Sequence, residues 1–448
     1  MSSIAATAAA PARGHLLKIL GVTFGVAVAV GQIIGSGILR APSVIAGEVP
    51  GIALILGLWA LGAVQVWLAA NLNAELGTAL PRTGGGYNYV RRAMGDVFGL
   101  VVGWTDWLAN MAGAAAASVS FAEFLPLLVP AAATHKIAVA LSLQIALYAA
   151  NITGLREGRA VQELTSFVKA AMLLVFILVA VFIVAPEEPK TVLSSPVAFQ
   201  WANLILAYQL IMGAYAGWNT PLYFAAENEA PEKSIPRALF IGIALTAVLY
   251  LGVNWALLHA LSPAGVAASP LPFSVVLKQI GGGIPAMLFA LTALITVASC
   301  SNACIMAAPR VLFALARDSL LPNAITRVNT GGSPTVAYVM TAAGTLALAA
   351  SGTFALVFGL IATLNAASGF LVDIAYWVLR MKEPQLPRPF RAIGYPVLPL
   401  IPVLVDGGLV VLFTTADYTG GLVALGLGLV CIPFAIIAHR ARKAAAVA

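Results

Sequence analysis

The sequence predicts an all-α protein that crosses a membrane about twelve times, and its composition is the first observation behind this prediction. Of its 448 residues, 61% are hydrophobic and 9% are charged, and the mean hydropathy is +0.96. Soluble globular domains do not combine these values. Apolar runs long enough to span a bilayer recur along the whole chain. The predicted spans are residues 17–42, 50–78, 97–126, 134–151, 162–185, 200–224, 237–261, 284–309, 334–351, 353–380, 396–414 and 420–439.

The distribution of basic residues is the second observation. If the N-terminus is inside, the inner segments hold nineteen Lys and Arg residues, and the outer segments hold only Arg40, Lys136, Lys190 and Lys278. Lys and Arg accumulate in cytoplasmic loops, so both termini are expected to be cytoplasmic. The net charge of +7 then reflects membrane topology, and we expect no nucleic-acid partner. Residues 1–16 lack the pattern of a signal peptide. We expect a multi-pass protein of the bacterial inner (plasma) membrane.

Two glycine-broken apolar stretches are the third observation. Residues 31–38 (GQIIGSGI) lie in the first predicted span, and residues 213–219 (GAYAGWN) lie in the sixth. Unwound backbone persists in the bilayer core only where it lines a cavity or is buried in protein. Two such breaks in corresponding positions of two halves are typical of secondary transporters.

The spacing of the breaks predicts an inverted repeat. Gly35 and Gly213 are 178 residues apart. Each half then holds five spans, and an odd number of spans inverts the second half relative to the first. The expected division is a cytoplasmic tail (1–16), helices 1–5 (17–186), helices 6–10 (187–380), and helices 11–12 with a cytoplasmic tail (381–448). The last two helices lie outside the repeat and are expected to serve packing or dimer contact.

Several chemistries are excluded by what the sequence lacks. No Gly-Lys dipeptide occurs, so there is no Walker loop, and the four histidines form no H-E-x-x-H motif. Cys300, Cys304 and Cys431 fall in predicted spans, where cysteines are typically small apolar fillers rather than disulfide or metal ligands. We therefore expect no enzyme activity, no catalytic residues, no metal and no cofactor.

A set of short motifs resembles the amino acid-polyamine-organocation superfamily, and within it the L-amino-acid transporter branch. The resemblance covers nearly the whole chain. Its most specific parts are residues 30–38 (VGQIIGSGI), 74–77 (AELG), 81–87 (PRTGGGY), 161–162 (VQ) with Lys169, 216–219 (AGWN), and Arg310 with Arg317 and Asp318. The resemblance implies the five-plus-five inverted-repeat fold of the bacterial leucine transporter. Residues 126–136 contain no Cys, so a disulfide-linked heavy chain is not expected. We expect a monomer or a homodimer.

The resemblance and the two breaks together predict a substrate site. Free N–H groups at a half-helix N-terminus favour an anionic group, and a substrate carboxylate fits at Gly35, Ser36 and Gly37. The same glycines can also be read as a helix-packing motif. The resemblance implies that carbonyls near Ile33 and Ile34, with those of the sixth span, take the substrate ammonium. The predicted substrate-binding residues are Ile33, Ile34, Gly35, Ser36, Gly37, Gly213, Tyr215, Gly217 and Asn302.

Two members of this set have specific expected roles. Tyr215 is predicted to close over the substrate side chain, although the aromatic gate of the family usually lies slightly earlier, where this chain has Gly213. Core packing is the alternative for Tyr215. Asn302 aligns with a substrate-facing position of the family, and its alternative role is to join helices by hydrogen bonds.

Lys169 is the one basic residue well inside a predicted span. A snorkelling side chain could nearly reach cytoplasmic water from there. Ionisable groups inside a membrane are costly, however, and default to function. The resemblance implies that the ammonium takes the place of the cation that sodium-coupled relatives hold between spans one and eight, near Gly35 and Ser299 or Ser301. Lys169, Ser299 and Ser301 are therefore the predicted cation-mimic and coupling residues.

Four carboxylates complete the candidates. Asp106 can recognise a cationic side chain, although it lies in the cytoplasmic third of its span. Asp373 is expected to hold the inner end of span ten together with Arg380, seven residues on. Glu75 and Glu227 are expected to pair with nearby arginines at inner span ends.

The predicted function is secondary active transport of L-amino acids by alternating access, independent of sodium. The sequence leaves open proton symport and amino acid exchange. No acidic residue aligns with the sixth-span break, which favours neutral substrates. The alternatives are an antiporter for cationic amino acids or polyamines and, from another class, an amino acid sensor. The expected partners are the amino acid substrate and the lipid bilayer.

Overall fold

The computed structural model describes residues 18, 20–153, 155–184, 199–269, 271–279, 283–350, 354–416 and 418–433. Within these ranges the chain is helical, and the only β-structure is two isolated bridges, Leu20 with Asn228 and Val328 with Pro334. The predicted tail at 1–16 and the last residues of the chain lie outside the described residues.

The described part of the chain forms fifteen α-helices. They are α1 Val22–Ile33, α2 Ser36–Glu48, α3 Ile52–Ala79, α4 Gly86–Met94, α5 Asp96–Phe124, α6 Lys136–Thr153, α7 Leu155–Phe182, α8 Trp201–Tyr215, α9 Pro231–Ala267, α10 Pro272–Gln279, α11 Gly283–Arg317, α12 Thr335–Ala350, α13 Phe354–Lys382, α14 Val397–Ala416 and α15 Tyr418–Leu429. Short 3-10 helices cover Leu125–Leu127, Pro130–Thr134, Thr220–Glu227 and Asn323–Thr326.

The apolar helices make this a multi-pass membrane protein. Seven described helices are long and apolar enough to cross a membrane, and α1 with α2 forms a further crossing that is bent by 42° at its break. Shorter apolar helices cover Lys136–Ile152, Thr335–Ala350 and Gly420–Leu429. Large apolar side chains such as Phe167, Phe182 and Trp201 are more than 70% exposed, as expected where a helix faces lipid tails. The all-helical, multi-pass prediction is confirmed.

Some elements depart from the sequence-based expectation. Helix α9 runs from Pro231 to Ala267, well beyond the predicted 237–261, and is kinked at Ser262, where φ is 59°. Proline suits the first turn of a helix, because its missing N–H has no partner there. Helices α4 and α10 were not predicted. They have nine and eight residues, too short to stand out in a hydropathy window.

A central pair of helices organises the bundle. Helices α5 and α11 pack against each other more extensively than any other described pair, and α1 packs against α7, α9 and α11. The stretch Ala114–Ala117 of α5 is buried, and small side chains let membrane helices approach closely. The broken first crossing therefore lies inside the bundle, next to α11.

Buried ion pairs hold several helix ends. Glu75 binds Arg380 and Arg388, with N–O distances of 2.5 and 2.9 Å, and Glu227 lies 3.3 Å from Arg310. The expected pairing of Glu75 and Glu227 with arginines is confirmed. The expected pairing of Asp373 with Arg380 is wrong. Because Glu75 on α3 takes the guanidinium, the Asp373 carboxyl faces α14 instead.

A second ionic cluster joins α4 to α11 at the same ends. Asp318 Oδ2 forms ion pairs with Arg91 Nη1 at 2.8 Å and with Arg317 Nη2 at 3.0 Å. The same oxygen accepts a hydrogen bond from the Tyr87 hydroxyl at 3.0 Å. Burial of the Asp318 carboxyl opposes its charged form and by itself would raise its pKa. Arg317 donates a hydrogen bond to the carboxylate, and the positive charges of Arg317 and Arg91 stabilise it. The pKa of Asp318 is therefore held below its usual value. Arg91, Arg317 and Asp318 thus hold two helix ends together.

Candidate substrate-binding site

The first break separates α1 from α2 at Ile34 and Gly35. The Ile34 N–H still donates to Val30 O at 3.0 Å, and Gly35 is extended (φ −129°, ψ −150°), so the helix restarts at Ser36. A Cβ atom at Gly35 would lie 2.8 Å from Cys300 Sγ, so only glycine lets α11 approach this closely. The first N–H groups of α2 have no partner within their own helix, which makes this helix end suited to bind an anion.

The second break follows Tyr215 at the end of α8. Residues 216–219 are non-helical, and a 3-10 helix begins at Thr220. Gly217 has φ +96°, in the left-handed region, and a Cβ atom there would lie 2.4 Å from the Gln32 side chain. Glycine is therefore required here for conformation and for space.

Gln32 joins the two breaks, and sequence reasoning missed it. Its Oε1 accepts a hydrogen bond from the Thr220 hydroxyl, and its Nε2 donates to Asn110 Oδ1 of α5 at 2.8 Å. The sequence does contain a signal for Gln32, because a polar amide side chain next to a helix break inside an apolar span indicates a functional position. Tyr250 of α9 makes a second link, because its hydroxyl lies 2.8 Å from Ile33 O and 2.9 Å from Ala214 O and can donate to either.

The two breaks line one cavity together with α5, α11 and α13. Small side chains and backbone dominate the lining, and no Asp, Glu, Lys or Arg is among the described residues that form it. The lining residues are Gln32, Ile33, Gly35, Ser36, Gly37, Ala109, Asn110, Gly113, Ala116, Ala117, Gly213, Ala214, Ala216, Gly217, Asn219, Tyr223, Cys300, Cys304, Ile361 and Asn365. The cavity offers a helix N-terminus, backbone carbonyls and neutral amides to a ligand.

Gly37 has a packing role as well as a place in the lining. A Cβ atom there would lie 2.9 Å from Ala214 Cα, so α2 and α8 touch backbone to backbone. Gly37 therefore serves both helix packing and the lining of the cavity.

Lys169 places its ammonium at the first break. The side chain is fully buried, and Nζ donates to Gly31 O at 2.6 Å and to Ile34 O at 2.7 Å. These carbonyls belong to the C-terminal end of α1, where the helix dipole is negative. The ammonium is directed into the bundle rather than toward cytoplasmic water, so the geometry does not match a snorkelling side chain.

The three predicted polar residues of α11 form hydrogen bonds to neighbouring helices. Ser299 Oγ accepts from Thr165 Oγ1 at 3.0 Å, and Ser301 Oγ accepts from Gln144 Nε2 at 3.0 Å. Asn302 Nδ2 donates to Gln162 Oε1 at 2.8 Å. Within the described part of the chain none of the three lines the cavity. This placement matches the helix-joining alternative for Asn302.

Cys300 is the residue of α11 that faces the break. Its Sγ donates to Gln32 O at 3.3 Å, and it lines the cavity together with Cys304, one turn further on. The expectation that these two cysteines are only apolar fillers missed this position. The Cys300 thiol beside Gly35 is a native group in the site that thiol reagents can modify.

Tyr215 lies outside the lining and packs in the core. Its ring contacts Trp59 and Tyr250 at centroid distances of 5.9 and 5.1 Å, and its hydroxyl donates to Trp59 O at 3.3 Å. Tyr223, from the 3-10 helix after the second break, is the aromatic residue that borders the cavity. The predicted gating role of Tyr215 therefore requires it to move from this position.

The fold and the site define a membrane permease with two broken helices at one cavity. Residues 20–435 match the family model described as amino acid permease, so the chain belongs to this family of the amino acid-polyamine-organocation superfamily. Its members are membrane transporters, not enzymes.

The chain is similar over most of its length to named transporters. It is 27% identical to the large neutral amino acids transporter small subunit 2 of Rattus norvegicus, over 86% of this chain and 74% of that protein. It is 27% identical to the serine/threonine exchanger SteT of Bacillus subtilis, over 69% of this chain and 70% of the exchanger. It is 26% identical to the branched-chain amino acid permease BcaP of the same bacterium, over 84% of this chain and 83% of the permease.

Proposed function

We propose that this permease carries neutral L-amino acids across the membrane by alternating access, without sodium. The observation that carries the proposal is the convergence of both helix breaks on one cavity. There the N-terminus of α2 faces the α-carboxylate, and the carbonyls around Ile33 and the second break face the α-ammonium. The residues assigned to direct contact with the substrate are Ile33, Gly35, Ser36, Gly37, Gly213 and Gly217. Ile34, Tyr215 and Asn302 do not line the cavity and act through the residues that do.

The proposal includes a fold with two inverted halves. The broken α1–α2 crossing is the first crossing of the first half (17–186), and the broken α8 crossing is the first crossing of the second half (187–380). This correspondence supports a five-plus-five repeat followed by two further helices. Both termini are then cytoplasmic, in a bacterial inner membrane. The chain acts as a monomer or homodimer, without a disulfide-linked heavy chain.

Neutral substrates are favoured by the electrostatics of the lining. The described residues around the cavity supply no carboxylate for a second cationic group, and a buried unpaired charge costs several kcal/mol. Asp106, which lies beyond the cavity, already accepts a hydrogen bond from Ser368 Oγ at 2.6 Å. An antiporter for arginine or polyamines is the second candidate, because Asp106 lines an adjoining cavity.

Competition against uptake of one labelled neutral amino acid in proteoliposomes separates these candidates. We expect small and medium neutral L-amino acids to compete strongly, and arginine, lysine and putrescine to compete far less. Putrescine has no carboxylate and therefore cannot use the N-terminus of α2. Strong inhibition by putrescine would contradict both the neutral selectivity and the carboxylate role of residues 35–37.

Cys300 allows a direct test of where the substrate binds. We expect N-ethylmaleimide to inhibit uptake in the wild type, because alkylation at Sγ fills the space beside Gly35. A saturating neutral amino acid should slow the inhibition. The double variant Cys300→Ala, Cys304→Ala, which lacks both lining cysteines, should resist the reagent, whereas Cys431→Ser, which changes a buried cysteine outside the lining, should stay sensitive. Equal sensitivity of the double variant and the wild type would place the substrate elsewhere.

A further inference from the structure

A second, polar cavity adjoins the candidate substrate site. The two cavities share the second break and Asn365 of α13, so a movement of α13 affects both. Gln65 of α3, Asp106 of α5 and Asp406 of α14 line the second cavity.

Two carboxyl groups meet beside this cavity. Asp373 of α13 is 1% exposed and Asp406 of α14 is 9% exposed. Asp373 follows Gly369 by one helical turn on the face of α13 that meets Asp406, so the two carboxyls are neighbours. Gln65 Nε2 donates to Asp406 Oδ1 at 2.7 Å, which fixes the orientation of that carboxyl. A Cβ atom at Gly369 would lie 3.0 Å from Asp406 Oδ2, so glycine makes room for the pair.

The burial of two neighbouring carboxyls favours a bound proton. Ionised carboxylates are only acceptors, so the two can be joined by a hydrogen bond only when one carries a proton. Oδ2 of Asp373 is buried and has no hydrogen-bond partner among the described residues. Two adjacent negative charges inside a membrane protein would repel strongly, as in other closely spaced carboxyl pairs.

The groups that face the pair do not neutralise it. Helix α3 contributes the neutral Gln65, α8 contributes Tyr208, and α5 contributes Asp106, a third acid. Arg380, two turns along α13 from Asp373, is bound to Glu75. The ion pairs of the described chain include none with these three acids.

We infer that the Asp373–Asp406 pair is a proton-binding site that couples amino acid transport to proton movement. This inference rests on the proposed transport function. With one proton bound, the two carboxyls join α13 to α14. Release of the proton leaves two negative charges on adjacent helices, which favours separation of α13 from α14 and entry of water. Since α13 borders the substrate cavity, the protonation state biases the conformation of the site.

The test uses proteoliposomes whose membrane potential is clamped with potassium and valinomycin. A one-proton symporter accumulates substrate up to about tenfold for each pH unit of inward gradient, because one pH unit is equivalent to a tenfold concentration ratio. We expect gradient-driven accumulation in the wild type and none in Asp373→Asn or Asp406→Asn. Exchange of labelled for unlabelled substrate at equal pH should persist in both variants. Asp96→Asn, at the start of α5 and outside both cavities, serves as the control and should accumulate normally.

The possible outcomes distinguish failure of the proton site from failure of the proposed transport function. No exchange by the wild type would contradict the proposed transport itself. Exchange without a response to the pH gradient, or full gradient-driven accumulation in Asp406→Asn, would overturn the proton site alone. Infrared spectroscopy adds a readout that does not need transport. The wild type should show the C=O stretch of a protonated carboxyl that is lost in Asp406→Asn, and an unchanged spectrum would also overturn the inference.

Discussion

Replacing Lys169 by alanine is expected to abolish most transport while leaving the protein folded. The ammonium makes two hydrogen bonds to the end of α1, at 2.6 and 2.7 Å, with no water-exposed surface. A hydrogen bond to a charged group contributes about 2 kcal/mol, so losing even one shifts a conformational equilibrium roughly 30-fold. The alanine variant leaves the carbonyls of Gly31 and Ile34 without their cation, and the broken helix loses its anchor to α7.

The same arrangement predicts that transport ignores sodium. In the proposed mechanism the lysine supplies the positive charge that holds the break against its neighbours, so no dissolved cation is needed. Labelled amino acid uptake should therefore be equal in sodium and potassium buffers. Lys233→Ala, which changes an exposed lysine at the start of α9, is the matched control and should behave as the wild type. Uptake that requires sodium, or normal uptake by Lys169→Ala, would reduce Lys169 to a structural residue.

Replacing Gly217 by alanine is the second change with a large expected effect. The residue has φ +96°, and the left-handed region costs an ordinary L-residue about 1–2 kcal/mol. The new methyl group would also lie 2.4 Å from Gln32 Cγ. To relieve the contact, Gln32 must move and lose its bonds to Thr220 and Asn110, which separates the two breaks. We expect substrate uptake to fall at least tenfold, since each lost hydrogen bond contributes about 1 kcal/mol in addition to the strain.

Ligand-induced thermal stabilisation of purified protein measures the effect of Gly217→Ala on binding. The wild type should gain stability with a neutral L-amino acid, and the variant should gain little. Gly57→Ala is the matched control, because a Cβ atom at Gly57 in α3 meets no atom within 4 Å. Normal stabilisation of Gly217→Ala would show that the second break does not shape the site.

Much of the fold was predictable because lipid constrains the sequence. Every backbone polar group in the bilayer must find an internal partner, so spans appear as long apolar runs and breaks as glycines within them. The breaks at Gly35 and Gly217 were recognisable for this reason. Helix α4 was not, since its nine residues carry both apolar and basic side chains and give no long apolar run.

Side-chain positions inside the bundle were harder to predict. Lys169 was recognisable because a charged side chain inside a membrane span is energetically costly and is therefore usually functional. On α11, the sequence indicated Asn302, but Cys300 faces the cavity, since the rotation of a helix about its axis depends on packing against α1, α5 and α7. The Asp373–Asp406 pair joins residues 33 positions apart on two helices, and only their packing brings the carboxyls together.

Counterflow in sealed vesicles tests the central claim, that this permease moves neutral L-amino acids through the cavity at the two breaks. Proteoliposomes preloaded with an unlabelled neutral L-amino acid are diluted into a trace of the labelled compound, with empty and permeabilised vesicles in parallel. The account predicts transient accumulation of label in the preloaded, sealed vesicles only, and its loss in Gly217→Ala. Equal association of label with sealed and permeabilised vesicles would indicate binding without transport, as in a sensor, and would contradict it.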